Sequence, residues 1–102
     1  MGIWFIVRHG ETEWNARGRI QGHTNIGLSA TGTHQSRLIA KRLAKIPIDA
    51  AYSSDLLRSV DTAREILRER TAPLQTTSQL REYHKGVFEG LTNDEARLRY
   101  PD

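Results

Sequence analysis

The sequence predicts an α/β fold in which a parallel sheet is flanked by helices. Segments with strand character at residues 3–7, 48–53 and 74–78 alternate with helical patterns at residues 30–46 and 55–70. The helix between the strands at 3–7 and 48–53 predicts a βαβ unit, whose strands pair in parallel through a right-handed crossover. Because parallel sheets lie buried on both faces, three strands are too few to complete one, and we expect the fold to be truncated.

The first strand is predicted at Ile3–Val7, where five consecutive apolar residues make a run of the length of a buried strand. The run ends at Arg8-His9-Gly10, where the glycine favours a sharp turn. A short helix is predicted over Glu11–Ala16, with the Thr12 hydroxyl accepting from its exposed backbone N–H groups. This order of strand, turn and helix brings reactive side chains to the carboxyl edge of a sheet.

The next segments are a loop and the first long helix. Residues 17–27 contain three glycines among polar residues, which is typical of a loop. Ser29 is a predicted N-cap for a helix over Ala30–Ile46, whose apolar residues recur at helical spacing. Pro47 ends that helix.

The second half alternates in the same way. Residues 48–53 predict the second strand, and Ser54 or Asp55 is expected to cap a helix that reaches Arg70. The polar segment at residues 74–78 predicts an edge strand.

The last part of the sequence predicts a loop and a helix. Residues 80–90 contain two glycines and predict the loop. Thr92 and Glu95 have the spacing of a capping box for a last helix that reaches Tyr100.

Composition excludes several classes of function. Of the 102 residues, 37% are hydrophobic and 26% charged, as in an ordinary globular domain, and the net charge is +3. There is no cysteine, which excludes disulfides, thiolate catalysis and cysteine metal sites. The charges are scattered, so no nucleic-acid partner is expected, and no run is long enough to span a membrane. Without a signal-peptide pattern, we expect a cytoplasmic protein.

Four motifs span nearly the whole chain: RHGETEWN at residues 8–15, RIQG at 19–22 with Leu28-Ser29 and Gly32, SSDL at 53–56 with Arg58 and Thr62-Ala63, and Leu80-x-Glu82 with Gly86 and Glu89-Gly90. Arg8 beside His9 is by itself more often incidental than catalytic. Together, however, the four motifs resemble those of the histidine phosphatase superfamily, which includes the cofactor-dependent phosphoglycerate mutases, and they occur in the family's order.

The resemblance implies a phosphoglycerate mutase-like fold, with residues 1–102 as the N-terminal part of a single histidine phosphatase domain. It also implies a phosphate site formed by two arginines and neutral donors. A planar guanidinium meets two phosphate oxygens at once and keeps its charge. The residues that match the family's phosphate-binding positions are Arg8, Asn15, Gln21, Gly22 and Arg58.

By the same resemblance His9 is the nucleophile and Glu82 the general acid. A neutral imidazole nitrogen can attack phosphorus and form a phosphohistidine. This requires a proton on the other ring nitrogen, held by an acceptor that we predict near Gly10. Glu82 would protonate the leaving alkoxide, and Glu89 is a weaker candidate, interpreted as part of a structural turn.

The resemblance also has departures. The family has a second active-site histidine further along its sequence, and no histidine of this chain matches it. Asn25 and Gly27 stand where the family often has aspartate and proline. Tyr83 and Lys85 stand where the mutases typically have arginine and tyrosine, so the chain resembles the phosphatase branch more closely.

The remaining histidines and tryptophans have no predicted chemical role. His23, His34 and His84 lack metal-ligand spacing and are interpreted as surface or loop residues, and Trp4 and Trp14 as packing residues. We therefore predict neither a metal nor a cofactor.

Three functions stay open at this point. The first is a phosphomonoesterase that acts on a small phosphorylated metabolite through phosphorylated His9. The second is a phosphoglycerate mutase, which returns the phosphoryl group to substrate instead of water. The third is an inactive fragment or a non-catalytic phosphate-binding module, because losing one preorganised donor costs roughly 10²–10³ in rate. An open sheet edge also leaves a homo-oligomer as an alternative.

Overall fold

The computed structural model describes residues 3–82, 85–86 and 89–100, so the sequence predictions for Tyr83 and His84 lie outside the described residues. No helix in this described part is long and apolar enough to cross a membrane. The elements, in chain order, are α1 (Glu13–Ala16), α2 (Ala30–Leu43), β1 (Ala51–Ser53), α3 (Leu57–Leu67), β2 (Leu74–Thr76), a 3-10 turn (Ser78–Leu80) and α4 (Asn93–Arg99).

The predicted α/β fold with a parallel sheet flanked by helices is confirmed. Strands β1 and β2 pair in parallel, with Ala51 opposite Leu74 and Ser53 opposite Thr76. Helix α3 connects them, which makes β1–α3–β2 a βαβ unit. Helix α2 packs against α3. Each strand has three residues, fewer than the sequence predicts.

The prediction of a buried first strand at Ile3–Val7 is wrong. No strand is assigned there, and no described residue pairs with this segment. Ile6 is 96% exposed and Trp4 is 81% exposed, so the packing role expected of Trp4 is also wrong. A buried strand in a parallel sheet needs a strand to pair with and cover on both faces. Among the described residues β1 and β2 pair only with each other, so the apolar run at residues 3–7 has no strand partner.

Three predicted N-caps are confirmed. The Thr12 hydroxyl accepts from the Asn15 N–H at the start of α1, and the Ser29 hydroxyl accepts from the Gly32 N–H at the start of α2. Thr92 and Glu95 form the predicted capping box of α4. Such caps depend on residues three apart, so a local sequence pattern is enough to find them.

The C-terminal ends of α2 and α3 differ from the prediction. Helix α2 ends at Leu43 rather than Ile46, and α3 ends at Leu67 rather than Arg70. The Arg70 side chain donates from Nη1 to the Ile46 carbonyl oxygen at 2.6 Å and from Nη2 to the carbonyl of Leu43. Carbonyls at a helix end need partners from outside the helix, and Arg70 supplies one. This tertiary contact holds the C-terminal end of α2.

The buried residues are mainly polar. Among the described residues the buried hydrophobic side chains are Leu56, Val60, Leu67 and Ala96. The buried polar ones are more numerous: Thr12, Gln21, Ser29, Ser36, Ser54, Arg58 and Thr62. They lie where the segments from His9 to Gly27 meet α2 and α3, which is where the sequence places its candidate site.

Candidate active site

His9 follows the exposed apolar segment and is half-buried. Its Nδ1 lies 2.7 Å from the carbonyl oxygen of Gly10. A carbonyl oxygen only accepts, so Nδ1 carries the proton, and in the neutral ring Nε2 carries the lone pair. The acceptor that the sequence predicts near Gly10 is therefore confirmed.

Gly10 is fixed between α2 and α3. Its N–H donates to the Thr62 hydroxyl at 2.9 Å, and that hydroxyl donates to the Arg58 carbonyl at 2.7 Å. A Cβ on Gly10 would lie 2.4 Å from the Gly32 carbonyl oxygen. Gly10 is not among the glycines with positive φ. Glycine is needed here for close backbone packing, not for the sharp turn that the sequence analysis expected.

A cleft of about 280 Å³ opens beside His9. It is lined by Arg8, His9, Glu11, Asn15 and Gln35. The structure thus brings three predicted site residues, Arg8, His9 and Asn15, to one opening. Glu11 and Gln35 were not singled out by the sequence analysis. The Gln35 side-chain oxygen accepts from the Glu11 N–H at 2.9 Å, a contact between segments that no local pattern reveals.

Arg58 is the second residue of α3 and is 2% exposed. Its Nη2 donates to the Gly22 carbonyl at 2.5 Å, and its Nη1 donates to the Thr24 carbonyl at 3.2 Å. Glu82 Oε2 lies 3.6 Å from Nη2. Burying a charged guanidinium is tolerated when it is paired in this way. These contacts show that Arg58 is not a solvated helix residue.

Glu82 lies beside Arg58, with its side chain 54% exposed. Its carboxylate is also 4.0 Å from Lys85 Nζ. Its carbonyl oxygen accepts from His23 Nε2 at 2.5 Å. His23 is thus a loop residue, as expected, but it also orients the chain at Glu82, which the sequence analysis missed. Arg58 and Glu82 do not line the cleft of about 280 Å³, although both act electrostatically on His9.

Thr12 orients the two predicted side-chain amides. The Thr12 N–H donates to Asn15 Oδ1 at 3.1 Å. The Thr12 hydroxyl accepts from the Asn15 N–H at 3.1 Å and donates to Gln21 Oε1 at 2.8 Å. Because both amide oxygens are used, the NH₂ groups of Asn15 and Gln21 are left to act as donors. The sequence predicts Thr12 as an N-cap, but no local pattern indicates that it also orients the amides of Asn15 and Gln21.

The N-terminus of α3 is capped by the loop rather than by Ser54 or Asp55, so that prediction is wrong. Asn25 Oδ1 accepts from the Leu57 N–H at 2.7 Å. Asp55 instead forms two hydrogen bonds with Arg81, at 2.5 and 2.8 Å, which lower the pKa of the Asp55 carboxyl. Asn25, which stands where the family often has aspartate, thus holds the N-terminus of the helix that carries Arg58.

A family model described as "Histidine phosphatase superfamily (branch 1)" matches residues 4–102. The chain belongs to this superfamily. The resemblance that the four motifs predicted is therefore confirmed.

Similar histidine phosphatases include both mutase-like proteins and phosphatases. The chain is 46% identical to the "Probable phosphoglycerate mutase GpmB" of Serratia proteamaculans, over 83% of this chain and 40% of the relative. It is 43% identical to the "Metal-independent phosphoserine phosphatase" of Arabidopsis thaliana, over 95% of this chain and 42% of the relative. The solved structure of Bacillus stearothermophilus YhfR superposes with a TM-score of 0.88 at 37% identity, over 92% of this chain and 46% of that one. The chain thus spans less than half the length of each.

The surroundings of His9 predict its titration. Burial lowers the pKa of His9 below its ordinary value of 6.5, and the charges of Arg58 and Arg8 act in the same direction, whereas the Gly10 carbonyl and Glu82 raise it. The neutral ring therefore persists below pH 6.5 and is lost as the pH falls through the lowered pKa. Because the unfolded chain takes up this proton first, His9 also disfavours folding as the pH falls below 6.5.

We expect an NMR titration of the His9 ring to have its midpoint below 6.5. Arg58→Met is expected to raise that midpoint, because it removes a positive charge that opposes protonation. Arg37→Met, which breaks only an exposed ion pair with Glu65 at 3.2 Å, is expected to leave it unchanged. A wild-type midpoint at or above 6.5 would contradict this account of the site.

Proposed function

We propose that this chain carries the nucleophile and phosphate-binding residues of a phosphomonoesterase that acts on a small phosphorylated metabolite through a phosphohistidine. One observation carries the proposal: His9 donates from Nδ1 to the Gly10 carbonyl, which leaves the lone pair on Nε2. The acceptor is built into the loop itself, so the reactive tautomer is present before substrate binds.

In the proposed reaction the cations first bind the phosphate oxygens. Arg8 and Arg58 would neutralise the charge that otherwise repels a nucleophile, while the amides of Asn15 and Gln21 donate to the remaining oxygens. Unit charges about 4 Å apart interact by roughly 4 kcal/mol at an effective dielectric of about 20, so the two arginines dominate binding. The Gly22 carbonyl accepts from Arg58 at 2.5 Å, and the Gly22 N–H would add a neutral donor to phosphate.

The chemical step then proceeds in two displacements. His9 Nε2 forms a bond to phosphorus as the ester P–O bond breaks, and Glu82, which would take up a proton in the presence of the substrate dianion, gives that proton to the departing alkoxide. Water next attacks phosphorus, the N–P bond breaks, and the water proton returns to Glu82. The position of Glu82 supports this role, because it lies 3.6 Å from the Arg58 guanidinium that would bind the phosphate.

A phosphoglycerate mutase is the second candidate. The Serratia relative carries that name, and the first displacement would be the same. The difference lies in the acceptor, because a mutase must protect the phosphohistidine from water. A non-catalytic phosphate-binding module is the third, because the chain spans less than half the length of that relative. In each case we propose that residues 1–102 belong to one histidine phosphatase domain, and the cytoplasmic location stays a prediction.

The test follows the fate of the phosphoryl group. The chain is incubated with p-nitrophenyl phosphate, or with 3-phosphoglycerate and 2,3-bisphosphoglycerate, and the products are followed by ³¹P NMR. A phosphatase releases inorganic phosphate and forms no 2-phosphoglycerate, whereas a mutase interconverts the phosphoglycerates. Binding of inorganic phosphate without any product formation would contradict both enzyme proposals and leave the binding module.

A further inference from the structure

The Glu89 carboxylate binds the loop on the far side from Arg58. Its Oε2 accepts from the His23 N–H at 3.2 Å and from the Lys85 N–H at 3.0 Å. Its Oε1 accepts from the Thr24 hydroxyl. A Cβ on Gly22 would lie 2.5 Å from Oε2, so the carboxylate lies directly against the loop backbone. Glu89 therefore joins two segments that are more than sixty positions apart in sequence.

The same loop holds Arg58 through its opposite face. The N–H of His23 and the hydroxyl of Thr24 point to Glu89, while the carbonyls of Gly22 and Thr24 accept from the Arg58 guanidinium. The loop backbone thus lies between a carboxylate and a guanidinium. Hydrogen bonds to charged groups are about twice as strong as neutral ones, so both faces of the loop are firmly held. The Glu89 charge also raises the pKa of Arg58, opposing the larger effect of burial.

We propose that Glu89 is a positioning residue of the phosphate site, which fixes the Gly22–Thr24 loop so that its carbonyls hold the Arg58 guanidinium against phosphate. The role of Arg58 in this proposal rests on the proposed function. Both carboxylate oxygens of Glu89 accept hydrogen bonds from His23, Thr24 and Lys85, so Glu89 acts through the loop and not as the general acid. The sequence predicts that Glu89 is part of a structural turn. In this proposal that turn also supports phosphate binding.

The test compares Glu89→Ala with Glu89→Gln. Alanine removes all three contacts, and we expect the affinity for inorganic phosphate to fall roughly tenfold, as is usual when a supporting partner of a binding residue is removed. Glutamine keeps an oxygen for the two N–H groups, and its NH₂ can donate to the Thr24 hydroxyl, so affinity should stay within about threefold. Glu65→Ala is the matched control, because it removes a carboxylate paired with Arg37 away from the loop, and should change nothing.

The two variants also separate positioning from proton transfer. A positioning residue predicts loss of phosphate affinity in Glu89→Ala and its recovery in Glu89→Gln. If Glu89 were the general acid, both variants would lose turnover equally and keep the affinity for inorganic phosphate, and that result would overturn the proposal.

A second measurement is independent of activity. Hydrogen exchange at the amides of His23 and Lys85 should be at least several-fold faster in Glu89→Ala than in the wild type, because both donate to the removed carboxylate. Unchanged exchange would overturn the proposal even if phosphate affinity fell.

If the wild-type chain binds no phosphate, the proposed function fails, and the exchange rates still decide whether Glu89 fixes the loop. If Glu89→Ala does not fold, Thr24→Val removes one contact alone and should weaken phosphate binding; unchanged affinity would then overturn the proposal.

Discussion

His9→Ala is expected to remove both p-nitrophenyl phosphate turnover and the acid-labile phosphoryl group that the wild-type chain acquires. The loss should be roughly 10³-fold or more, because without the imidazole no covalent route is open. The affinity for inorganic phosphate should change little, since Arg8, Arg58 and the amide donors remain. Turnover is measured by release of nitrophenolate, and the label by phosphohistidine analysis after a single incubation.

His34→Ala provides the matched control. His34 is exposed on α2 and does not line the cleft beside His9, so its removal should leave turnover and labelling unchanged. Equal activity in His9→Ala and wild type would remove His9 from its assigned role. A label that persists in His9→Ala would place the phosphoryl group on another residue and contradict the proposed mechanism directly.

The elements that the sequence predicted correctly are those with local signals. Thr12, Ser29 and the Thr92–Glu95 pair were identified as caps because the bond runs between residues three apart. The parallel sheet flanked by helices was predictable because helical patterns alternate with short strands. The predicted βαβ unit of residues 3–7, 30–46 and 48–53 does not form, and the observed unit is β1–α3–β2. The exposure of residues 3–7 could not be predicted, because burial of an apolar run depends on neighbouring strands, and the sequence of the run does not contain that information.

The residue types of the site could be predicted from the sequence, but the contacts that hold those residues in place could not. His9 and its Gly10 acceptor are adjacent in sequence, so the reactive tautomer could be inferred. Arg58 was identified only through the motif, whereas its burial depends on the carbonyls of Gly22 and Thr24, more than thirty positions away. The contacts of Asn25 with the Leu57 N–H and of Glu89 with the loop backbone also join segments that are far apart in sequence. Such contacts require the tertiary fold, and no periodicity or spacing reveals them.

Gly32→Ala is expected to be the most destabilising single substitution in α2. A Cβ on Gly32 would lie 2.0 Å from the Glu11 carbonyl oxygen and 2.7 Å from the Glu11 nitrogen, so two stretches of backbone would have to separate. Alanine in a helix gains up to about 1 kcal/mol over glycine from its higher propensity. Forcing backbone apart costs more, and we expect a net loss of roughly 3 kcal/mol in the free energy of unfolding. Urea unfolding followed by circular dichroism measures it.

Gly27→Ala is the control for a glycine that is replaced without a close contact. Its Cβ would meet only Asp61 Oδ2 at 3.5 Å, an ordinary contact, so its stability should change by less than about 1 kcal/mol. The Gly32 variant should also bind inorganic phosphate more weakly, because Glu11 adjoins the loop that carries His9 and its N–H and carbonyl are held by Gln35 and Ser29. Gly32→Ala with wild-type stability and affinity would show that α2 can move away from Glu11 without disturbing His9, and the close packing of Gly10 on Gly32 would then have no part in forming the site.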